Sequence, residues 1–498
     1  MNDGTSTSAH DDAIGTQDDA TAGAHPARAY DLIVIGAGPV GENVADRAVQ
    51  RGLTAVIVES ELVGGECSYW ACMPSKGLLR AGAVLREARA VDGARQAVTG
   101  DVDAAGVLRR RDALTHEWND SSQVEWLDRA GIDLVRGKGR IAGEKRVRVT
   151  GTDGAVTELV ARHAVAVCTG SVALLPDTPG LAGIAPWTSR EATSAERVPA
   201  TLAVIGGGVV AAEMATAYRD LGAEVTVIAR GGLLGGMEPF AGELVGDALR
   251  ERGVTLHLGA EVAEARRTDG TAELTLGDGT LVRAEEVLVA TGRLPRTDDL
   301  GLDTVGLEPG TWLEVDDTLR VRGSDWLYAI GDVNHRALLT HQGKYQARAA
   351  GDVIAARATG GAVDDAPWGA HVATADHESV PQVTFTDPEV ASVGLTEATA
   401  QKAGRRIRTL DYDLSWVAGA STLSDGYVGR ARAIVDEDRG LVIGVTFVGP
   451  DVAELLHAAT VAVVGEVPIA RLWHAVPAYP TVSEVWLRFL EGYGRPTP

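Results

Sequence analysis

Cys67 and Cys72 are the residues of this chain with the clearest chemical potential, because they are two of only three cysteines among 498 residues. A disulfide that closes so short a loop constrains the unfolded chain little, so stabilisation is a poor explanation of the pair. On a regular α-helix their Cα atoms would lie about 8 Å apart, whereas a disulfide requires roughly 7 Å or less. The pair can therefore bridge only where the intervening backbone departs from a helix, and strained bridges are readily reduced. We predict a redox-active disulfide, with two unrelated buried thiols as the simpler alternative.

A dinucleotide-binding pattern precedes the cysteine pair. The apolar run Asp31–Ile35 is typical of a buried parallel strand. It leads into GAGPVG, whose glycines are Gly36, Gly38 and Gly41, then a helical stretch and a second apolar run that ends at Glu59. The glycines permit a tight turn and let a pyrophosphate approach the N-terminus of the helix. The carboxylate at the end of the second run can accept hydrogen bonds from ribose hydroxyls.

A second copy of this unit begins 170 residues later, with GGGVVA in place of GAGPVG. Its glycines Gly206 and Gly208 again follow an apolar run and precede a helical stretch. Where the first copy has Glu59, the second has Ala229 followed by Arg230. A guanidinium pairs with the 2′-phosphate that a carboxylate would repel. We therefore predict that the second copy binds NADPH, with NADH as a possible ligand and a solvated surface charge as the alternative role of the arginine.

Two nucleotide sites and a disulfide together predict an electron path from nicotinamide through a flavin to sulfur. A strand-like run delivers Asp332, an acid that can hold a hydroxyl group of the flavin side chain. Two related elements, VAVCTGS with Gly170 and VLVATGR with Gly292, are predicted to be crossings between the nucleotide domains. Cys168, in the first of them, is interpreted as a small buried hydrophobe.

Composition excludes several other classes of protein. The chain has 69 acidic and 46 basic residues, and its net charge of −23 argues against nucleic acid or an anionic membrane as the main partner. Residues 1–28 have almost no large apolar side chains and are predicted to form a disordered tail. That segment lacks the features of a signal peptide, and no apolar run reaches the roughly 20 residues of a membrane span. We expect a cytoplasmic protein.

The motifs together resemble the FAD-dependent pyridine nucleotide–disulfide oxidoreductases, which include dihydrolipoamide dehydrogenase, glutathione reductase and mercuric reductase. The resemblance runs from about residue 29 to residue 490 and includes Gly36–Gly41, Cys67–Lys76, Gly206–Glu213, Ala290–Pro295, Gly331–Asp332 and Pro381–Glu389. It implies an α/β fold with two Rossmann-like dinucleotide-binding domains, for FAD and NAD(P), and a C-terminal α+β dimerisation domain. The implied boundaries are 29–184 with 287–362 for FAD, 185–286 for NAD(P), and 363–498 for dimerisation.

The resemblance also implies roles for individual residues. Cys67 would exchange with substrate, while Cys72 would lie against the flavin as a thiolate. Lys76 would approach the flavin and pair with Glu213, and a fixed positive charge there stabilises both reduced flavin and thiolate. A solvated helix lysine is the alternative interpretation. Gly65 belongs to the implied cofactor-binding residues.

The C-terminal segment departs from the family pattern. Lipoamide and glutathione enzymes read His-Pro-Thr-x-Ser-Glu there, and the histidine is the acid–base partner of the exchanging thiol; this chain reads YPTVSE, from Tyr479 to Glu484. A tyrosine with its ordinary pKa of about 10 cannot cycle protons at neutral pH, but it can donate a hydrogen bond. The resemblance implies a homodimer in which these two residues complete the site of the other subunit. His474 is a conceivable substitute, although a structural role is favoured for it.

We expect a homodimeric, FAD-containing, NADPH-preferring reductase that passes electrons through the cysteine pair to a small-molecule disulfide. A metal ion or a quinone is the alternative acceptor, since it needs less proton shuttling, although the chain lacks the C-terminal cysteine pair of mercuric reductases. A lipoamide dehydrogenase-type subunit of a multienzyme complex is a further alternative, against which the missing histidine counts. No bound metal is predicted. The bulky Tyr69 and Trp70 between the cysteines indicate either an altered pocket or packing in the dimer core.

Overall fold

The computed structural model describes residues 28–495. The predicted tail, residues 1–28, lies outside this range except for Arg28, which begins the first strand. The strands are β1 (Arg28–Ile35), β2 (Ala55–Glu59), β3 (Asp133–Arg136), β4 (Lys138–Ile141), β5 (Arg146–Thr150), β6 (Val156–Val167), β7 (Ser171–Ala173), β8 (Thr201–Ile205), β9 (Glu224–Ala229), β10 (Thr255–Leu258), β11 (Val262–Thr268), β12 (Thr271–Leu276), β13 (Leu281–Ala284), β14 (Glu286–Val289), β15 (Arg293–Pro295), β16 (Leu327–Ala329), β17 (Pro381–Thr384), β18 (Glu389–Gly394), β19 (Ile407–Asp413), β20 (Arg430–Asp436) and β21 (Leu441–Gly449).

The α-helices alternate with these strands in the first two thirds of the chain. They are α1 (Pro39–Gln50), α2 (Gly65–Tyr69), α3 (Cys72–Arg89), α4 (Ala104–Leu114), α5 (Ser121–Ala130), α6 (Ser189–Ser194), α7 (Val209–Asp220), α8 (Pro239–Glu251), α9 (Thr340–Thr359), α10 (Ala375–Glu378), α11 (Glu397–Lys402), α12 (Ala418–Leu423), α13 (Leu456–Val464), α14 (Ile469–Leu472) and α15 (Val485–Tyr493). Short 3₁₀ helices cover Arg95–Ala97, His116–Trp118, Ala182–Ile184, Leu302–Val305, Asp332–Asn334, Leu414–Trp416, Val452–Leu455 and Val482–Glu484.

The first sheet has the order β3-β2-β1-β6-β5-β4, and β16 pairs with β6 as well. Strand β1 is parallel to both β2 and β6, in a register that aligns Leu32 with Ala55. Leu32, Ile33 and Val34 are completely buried, as a continuous apolar run in a parallel strand requires. The first predicted strand–turn–helix–strand unit is therefore present.

The second sheet has the parallel order β10-β9-β8-β14, with the antiparallel sheet β11-β12-β13 beside it. One predicted boundary is wrong here, because residues 287–289 were assigned to the first nucleotide domain. Strand β14 instead pairs with β8, aligning Leu288 with Val204, and its buried side chains complete the second core. The chain then returns through β15, which pairs antiparallel with β7. The two predicted crossings thus form one ribbon between the sheets.

The third sheet is antiparallel, with the order β17-β18-β21-β20-β19, and it lies within the predicted dimerisation segment. Helices α13 and α15 contribute to its separate hydrophobic core, where the rings of Phe447 and Phe489 lie 6.5 Å apart. The predicted α+β character of this part is confirmed. None of the helices in residues 28–495 is long and apolar enough to cross a membrane.

Candidate active site

The two cysteines lie on either side of a break between helices. Cys67 is part of α2, and Cys72 is the first residue of α3. Ala71 between them has φ −135° and ψ −94°, which is outside the helical region. The departure from a regular helix that a bridge requires is therefore present. Both residues are thiols here, and each affects the ionisation of the other.

The two thiols have different electrostatic surroundings. The Cys67 thiol donates a hydrogen bond that lowers the pKa of Cys72, and Thr340 and the positive charge of Lys76 lower it further. The Thr340 hydroxyl oxygen lies 3.3 Å from the Cys72 sulfur. The same thiol–thiol hydrogen bond, together with burial, raises the pKa of Cys67. The reduced pair therefore loses its first proton from Cys72, which makes this sulfur the thiolate.

An ion pair joins the cysteine-bearing helix to the second nucleotide domain. The Lys76 Nζ atom on α3 lies 2.8 Å from Glu213 Oε2 on α7, as the sequence predicted. The other carboxylate oxygen of Glu213 accepts the backbone N–H of Phe385 at 2.9 Å. The ammonium group also lies 4.8 Å from the centroid of the Phe385 ring. This positive charge is thus fixed one turn after Cys72.

A cavity of about 510 Å³ opens beside Cys67. Glu59 ends β2 at its wall, and its carboxylate accepts the backbone N–H of Ala37 at 2.6 Å and that of Glu61 at 2.7 Å. Asp332 accepts a hydrogen bond from the hydroxyl of Ser171 at 2.5 Å. Seven residues that were predicted to bind cofactor or act in catalysis line the cavity: Gly36, Gly38, Glu59, Gly65, Cys67, Gly170 and Asp332.

The first glycine motif fits FAD in its backbone geometry. Gly36 has φ +103°, and a Cβ there would lie 2.4 Å from the carbonyl oxygen of Cys168, so this glycine serves the turn. A Cβ at Gly38 would meet no atom within 4 Å, which leaves open space at the N-terminus of α1, where backbone N–H groups attract a pyrophosphate. Gly41 does not line the cavity, because its hydrogen faces the Gly36 carbonyl oxygen, 1.9 Å from where a Cβ would stand. Its predicted role in cofactor binding is therefore indirect.

A second cavity, of about 520 Å³, lies at the second glycine motif. Gly206, Gly208, Arg230 and Gly292 all line it, as predicted. Arg230 is exposed at its edge, and no hydrogen bond or ion pair joins its guanidinium to another described residue. Ala229 beside it is buried and carries no charge. The cavity can hold a dinucleotide and present a free cation to a phosphate group.

The predicted C-terminal residues do not join the cysteines within one chain. The side chain of Tyr479 is 76% exposed, and no hydrogen bond in the described range links it to Cys67. Glu484 is buried and pairs with Arg488, and one of its carboxylate oxygens has no hydrogen-bond partner in the described range. His474 is exposed, so the structural role favoured for it is not observed within the described chain.

The sequence did not reveal a charged cluster around the inter-cysteine segment. Arg190 on α6 donates hydrogen bonds to Glu66 and to both carboxylate oxygens of Glu61. Its guanidinium lies 4.2 Å from the centroid of the Trp70 ring. Tyr69 is fully buried and donates its hydroxyl hydrogen to a glutamine side chain of α5 at 2.5 Å. Both aromatic residues therefore pack within their own chain, and Trp70 contacts a residue of the cavity wall.

Two further points concern Cys168, which is the third cysteine, and metal-binding side chains. Cys168 is buried, and burial raises the pKa of its thiol, in agreement with its interpretation as a small hydrophobe. Within residues 28–495, no group of three or more histidine, cysteine, aspartate or glutamate side chains could hold a metal ion.

Known proteins share this arrangement over nearly the whole chain. Residues 30–353 match the pyridine nucleotide-disulphide oxidoreductase family, and residues 380–488 match its dimerisation domain. Dihydrolipoyl dehydrogenase of Halobacterium salinarum is 32% identical over 477 residues, covering 93% of this chain and 95% of that protein. Mercuric reductase of Staphylococcus aureus is 30% identical over 462 residues, covering 91% of this chain and 81% of that protein. The Cu(II) complex of the HOCl-induced flavoprotein disulfide reductase RclA from Escherichia coli matches with a TM-score of 0.79 at 20% identity, covering 93% and 99% of the two chains, which shows a shared fold.

The matches agree with the architecture and confirm the predicted fold class. The first matched region contains both dinucleotide cavities and the cysteine pair, and the second contains the antiparallel sheet. The dimerisation domain supports a homodimer. The chain belongs to the pyridine nucleotide-disulphide oxidoreductases, flavoprotein enzymes that use FAD and NAD(P)H.

Proposed function

We propose that this chain is an NADPH-dependent disulfide reductase in which Cys67 and Cys72 form the redox pair and a small disulfide is the acceptor. One observation carries the proposal: two thiols lie on either side of a break between two helices, and one of them, Cys67, borders a dinucleotide cavity. Two unrelated thiols would not need this break. The uncharged Ala229 and the free Arg230 at the second cavity support NADPH as the electron donor.

The sulfurs of Cys67 and Cys72 have different roles in the reaction. Bound FAD would supply the two-electron relay between the nicotinamide and the cysteine pair. Deprotonated Cys67 attacks one sulfur of the substrate disulfide, so the substrate S–S bond breaks and the first product leaves as a thiolate. The Cys72 thiolate then attacks the Cys67 sulfur of the mixed disulfide, forming the Cys67–Cys72 bond and releasing the second product. The pair loses two electrons to the substrate. The two protons that the dithiol released when Cys67 and Cys72 ionised balance the two that the product thiolates take up to become thiols. Lys76 stabilises the Cys72 thiolate before this attack.

Proton transfer is the step for which this chain differs most from the histidine-containing enzymes. We assign Tyr479 and Glu484 of one subunit to the cysteine site of the other, since the exposed tyrosine is free to reach a second chain. A phenol can donate a hydrogen bond to a thiolate, whereas an imidazole can also take up and return a proton near neutral pH. General acid–base catalysis commonly contributes about 10²–10⁴-fold. Turnover of lipoamide or glutathione disulfide should therefore be slower by about that factor than in histidine-containing relatives.

A metal ion or a quinone is the second candidate acceptor, because reduction of a metal ion or one-electron reduction of a quinone needs less proton transfer than reduction of a disulfide, and the imidazole is missing. The similarity to mercuric reductase favours a metal ion as the acceptor. The similarity to dihydrolipoyl dehydrogenase is the reason to include lipoamide among the acceptors that are tested.

An acceptor screen with NADPH distinguishes these functions. Lipoamide, low-molecular-weight disulfides, quinones and metal salts are supplied in turn, and NADPH oxidation is followed for the wild type, Cys67→Ser and Cys72→Ser. We expect a disulfide to be the best acceptor and both variants to lose its turnover. If quinones or metal salts alone are reduced, and Cys67→Ser reduces them as fast as the wild type, the disulfide assignment is wrong.

A further inference from the structure

Helix α6 holds the segment between the two cysteines from outside. The guanidinium of Arg190 lies over the Trp70 ring, 4.2 Å from its centroid. The hydroxyl of Thr193, one turn later on α6, donates a hydrogen bond to the backbone carbonyl of Trp70 at 2.8 Å. Trp70 directly precedes the non-helical Ala71. The ring and the backbone carbonyl of Trp70, which precedes the break, are thus both held by α6.

Arg190 also fixes the residue that precedes Cys67. Its Nε atom donates a hydrogen bond to Glu66 at 2.6 Å, and its two terminal nitrogens bind both carboxylate oxygens of Glu61 at 3.0 and 2.6 Å. Arg296 adds longer ion pairs to the same two carboxylates, at 3.5 and 3.6 Å. The Arg190 side chain is only 27% exposed, so these contacts are partly shielded from solvent. One guanidinium therefore contacts residues on both sides of Cys67.

The helix that carries Arg190 is itself firmly anchored. Thr188 and Glu191 form a capping box at its start. Arg111, whose side chain is 2% exposed, donates hydrogen bonds to the carbonyls of Thr193 and Ala195 at 2.7 and 2.9 Å. A buried guanidinium with two such bonds is costly to displace. Helix α6 can therefore act as a fixed support for the break between α2 and α3.

We propose that Arg190 is a positioning residue of the redox pair, which holds Glu66 and Trp70 so that the two sulfurs stay close enough to form and re-form their bond. The inference rests on the proposed function, because it requires Cys67 and Cys72 to be that pair. A disulfide within one chain is favoured over the dithiol in proportion to the effective concentration of one thiol at the other. Regular helical geometry is interrupted between the two cysteines, so contacts from outside the segment help to maintain that proximity. Loss of the support favours the dithiol.

The test measures the dithiol–disulfide equilibrium of the full-length, flavin-loaded protein. Samples are equilibrated with mixtures of reduced and oxidised dithiothreitol, alkylated and analysed by mass spectrometry. Arg190→Met and Trp70→Leu should each shift the equilibrium toward the dithiol by about tenfold, which corresponds to about 30 mV for two electrons. Trp70→Phe, which keeps an aromatic face, should stay close to the wild type. Arg197→Met is the matched control, because Arg197 pairs with Glu285 at an exposed site.

The double variant separates a specific contact from general destabilisation. Since Arg190→Met already removes the contact with the Trp70 ring, Arg190→Met combined with Trp70→Leu should shift the equilibrium no further than Arg190→Met alone. An unchanged equilibrium in Arg190→Met, or additive shifts in the double variant, would overturn the inference. Loss of flavin with an unchanged equilibrium would also overturn it and make Arg190 a cofactor-holding residue. If the wild type itself forms no Cys67–Cys72 bond, it is the proposed function that fails.

Discussion

Cys67 and Cys72 are five positions apart, yet each sulfur has its own task because its contacts differ. Cys72 accepts a hydrogen bond and lies near the Thr340 hydroxyl and the ammonium group of Lys76. Cys67 gives its hydrogen to Cys72 and borders the cavity. The resting thiolate needs stabilising groups, and Cys72 has them in the Thr340 hydroxyl and the Lys76 ammonium group. The division of roles thus follows from the break at Ala71, which gives the two sulfurs different neighbours.

Removal of the Cys67 hydrogen-bond donor should raise the pKa of Cys72. The hydrogen bond is the largest influence that lowers this pKa, and burial, which raises it, would remain. In Cys67→Ala the pH at which Cys72 becomes reactive toward iodoacetamide should therefore increase. Cys67→Ser is the matched control, because its hydroxyl can still donate. Equal pH profiles for the two variants would show that hydrogen-bond donation by residue 67 does not control the ionisation of Cys72.

Arg230→Gln should weaken NADPH binding while NADH binding changes little. The guanidinium has no partner among the described residues, and one charge-assisted hydrogen bond to phosphate contributes about 1.5–3 kcal/mol. Dissociation constants for both nucleotides, measured by protein fluorescence, test this preference. Arg250→Gln provides the control, since Arg250 pairs with Asp247 on the surface of the same domain. A wild type that binds both nucleotides equally well would refute the assignment.

At the scale of secondary-structure elements, two glycines at the turn between β1 and α1 have different roles. We expect Gly36 to be needed for folding and Gly38 to be needed for binding FAD. Gly36→Ala should lower the free energy of unfolding by about 1–3 kcal/mol, because it places a Cβ at φ +103° and 2.4 Å from the Cys168 carbonyl oxygen. Gly38→Ala meets no atom within 4 Å and should leave the stability of the flavin-free protein unchanged while reducing its FAD content. Denaturant unfolding and flavin absorbance measure the two effects. Normal flavin content in Gly38→Ala would contradict this division.

Local sequence patterns made the nucleotide-binding elements predictable. Contacts between segments that are distant in the sequence could not be predicted in the same way. Each strand–glycine turn–helix unit is formed by one continuous segment of the chain, so both units could be identified from the sequence. Strand β14 was assigned to the wrong domain because its partner β8 lies 84 residues earlier in the aligned register, with other strands between them. Arg190 was missed for a similar reason: 124 residues separate it from Glu66, and no motif surrounds it. Packing between segments decides such contacts, and a single sequence does not display it.

At the scale of the whole molecule, the C-terminal segment has the properties of a surface that a second subunit covers. Val476 and Tyr479 are 84% and 76% exposed, although both are large and largely apolar. The match to a dimerisation domain includes both residues. A homodimer interface is self-complementary, so two identical sites arise from one pair of patches. Each active site would then combine the cysteines of one chain with the tyrosine of the other.

Mixed dimers test whether the active site is shared between subunits. Cys67→Ser and Tyr479→Ala chains, whose homodimers we expect to have little activity, are mixed, dissociated and reassociated. If the site is shared, the heterodimer has one site with both native residues and one with neither, so random pairing restores about one quarter of wild-type turnover. If each chain has a complete site of its own, every site carries a defect and no activity returns. Differently tagged chains allow the heterodimer to be purified, and its turnover should be about half that of the wild type. An inactive heterodimer would show that the proton donor belongs to the same chain as the cysteines, and His474→Ala would then be examined first.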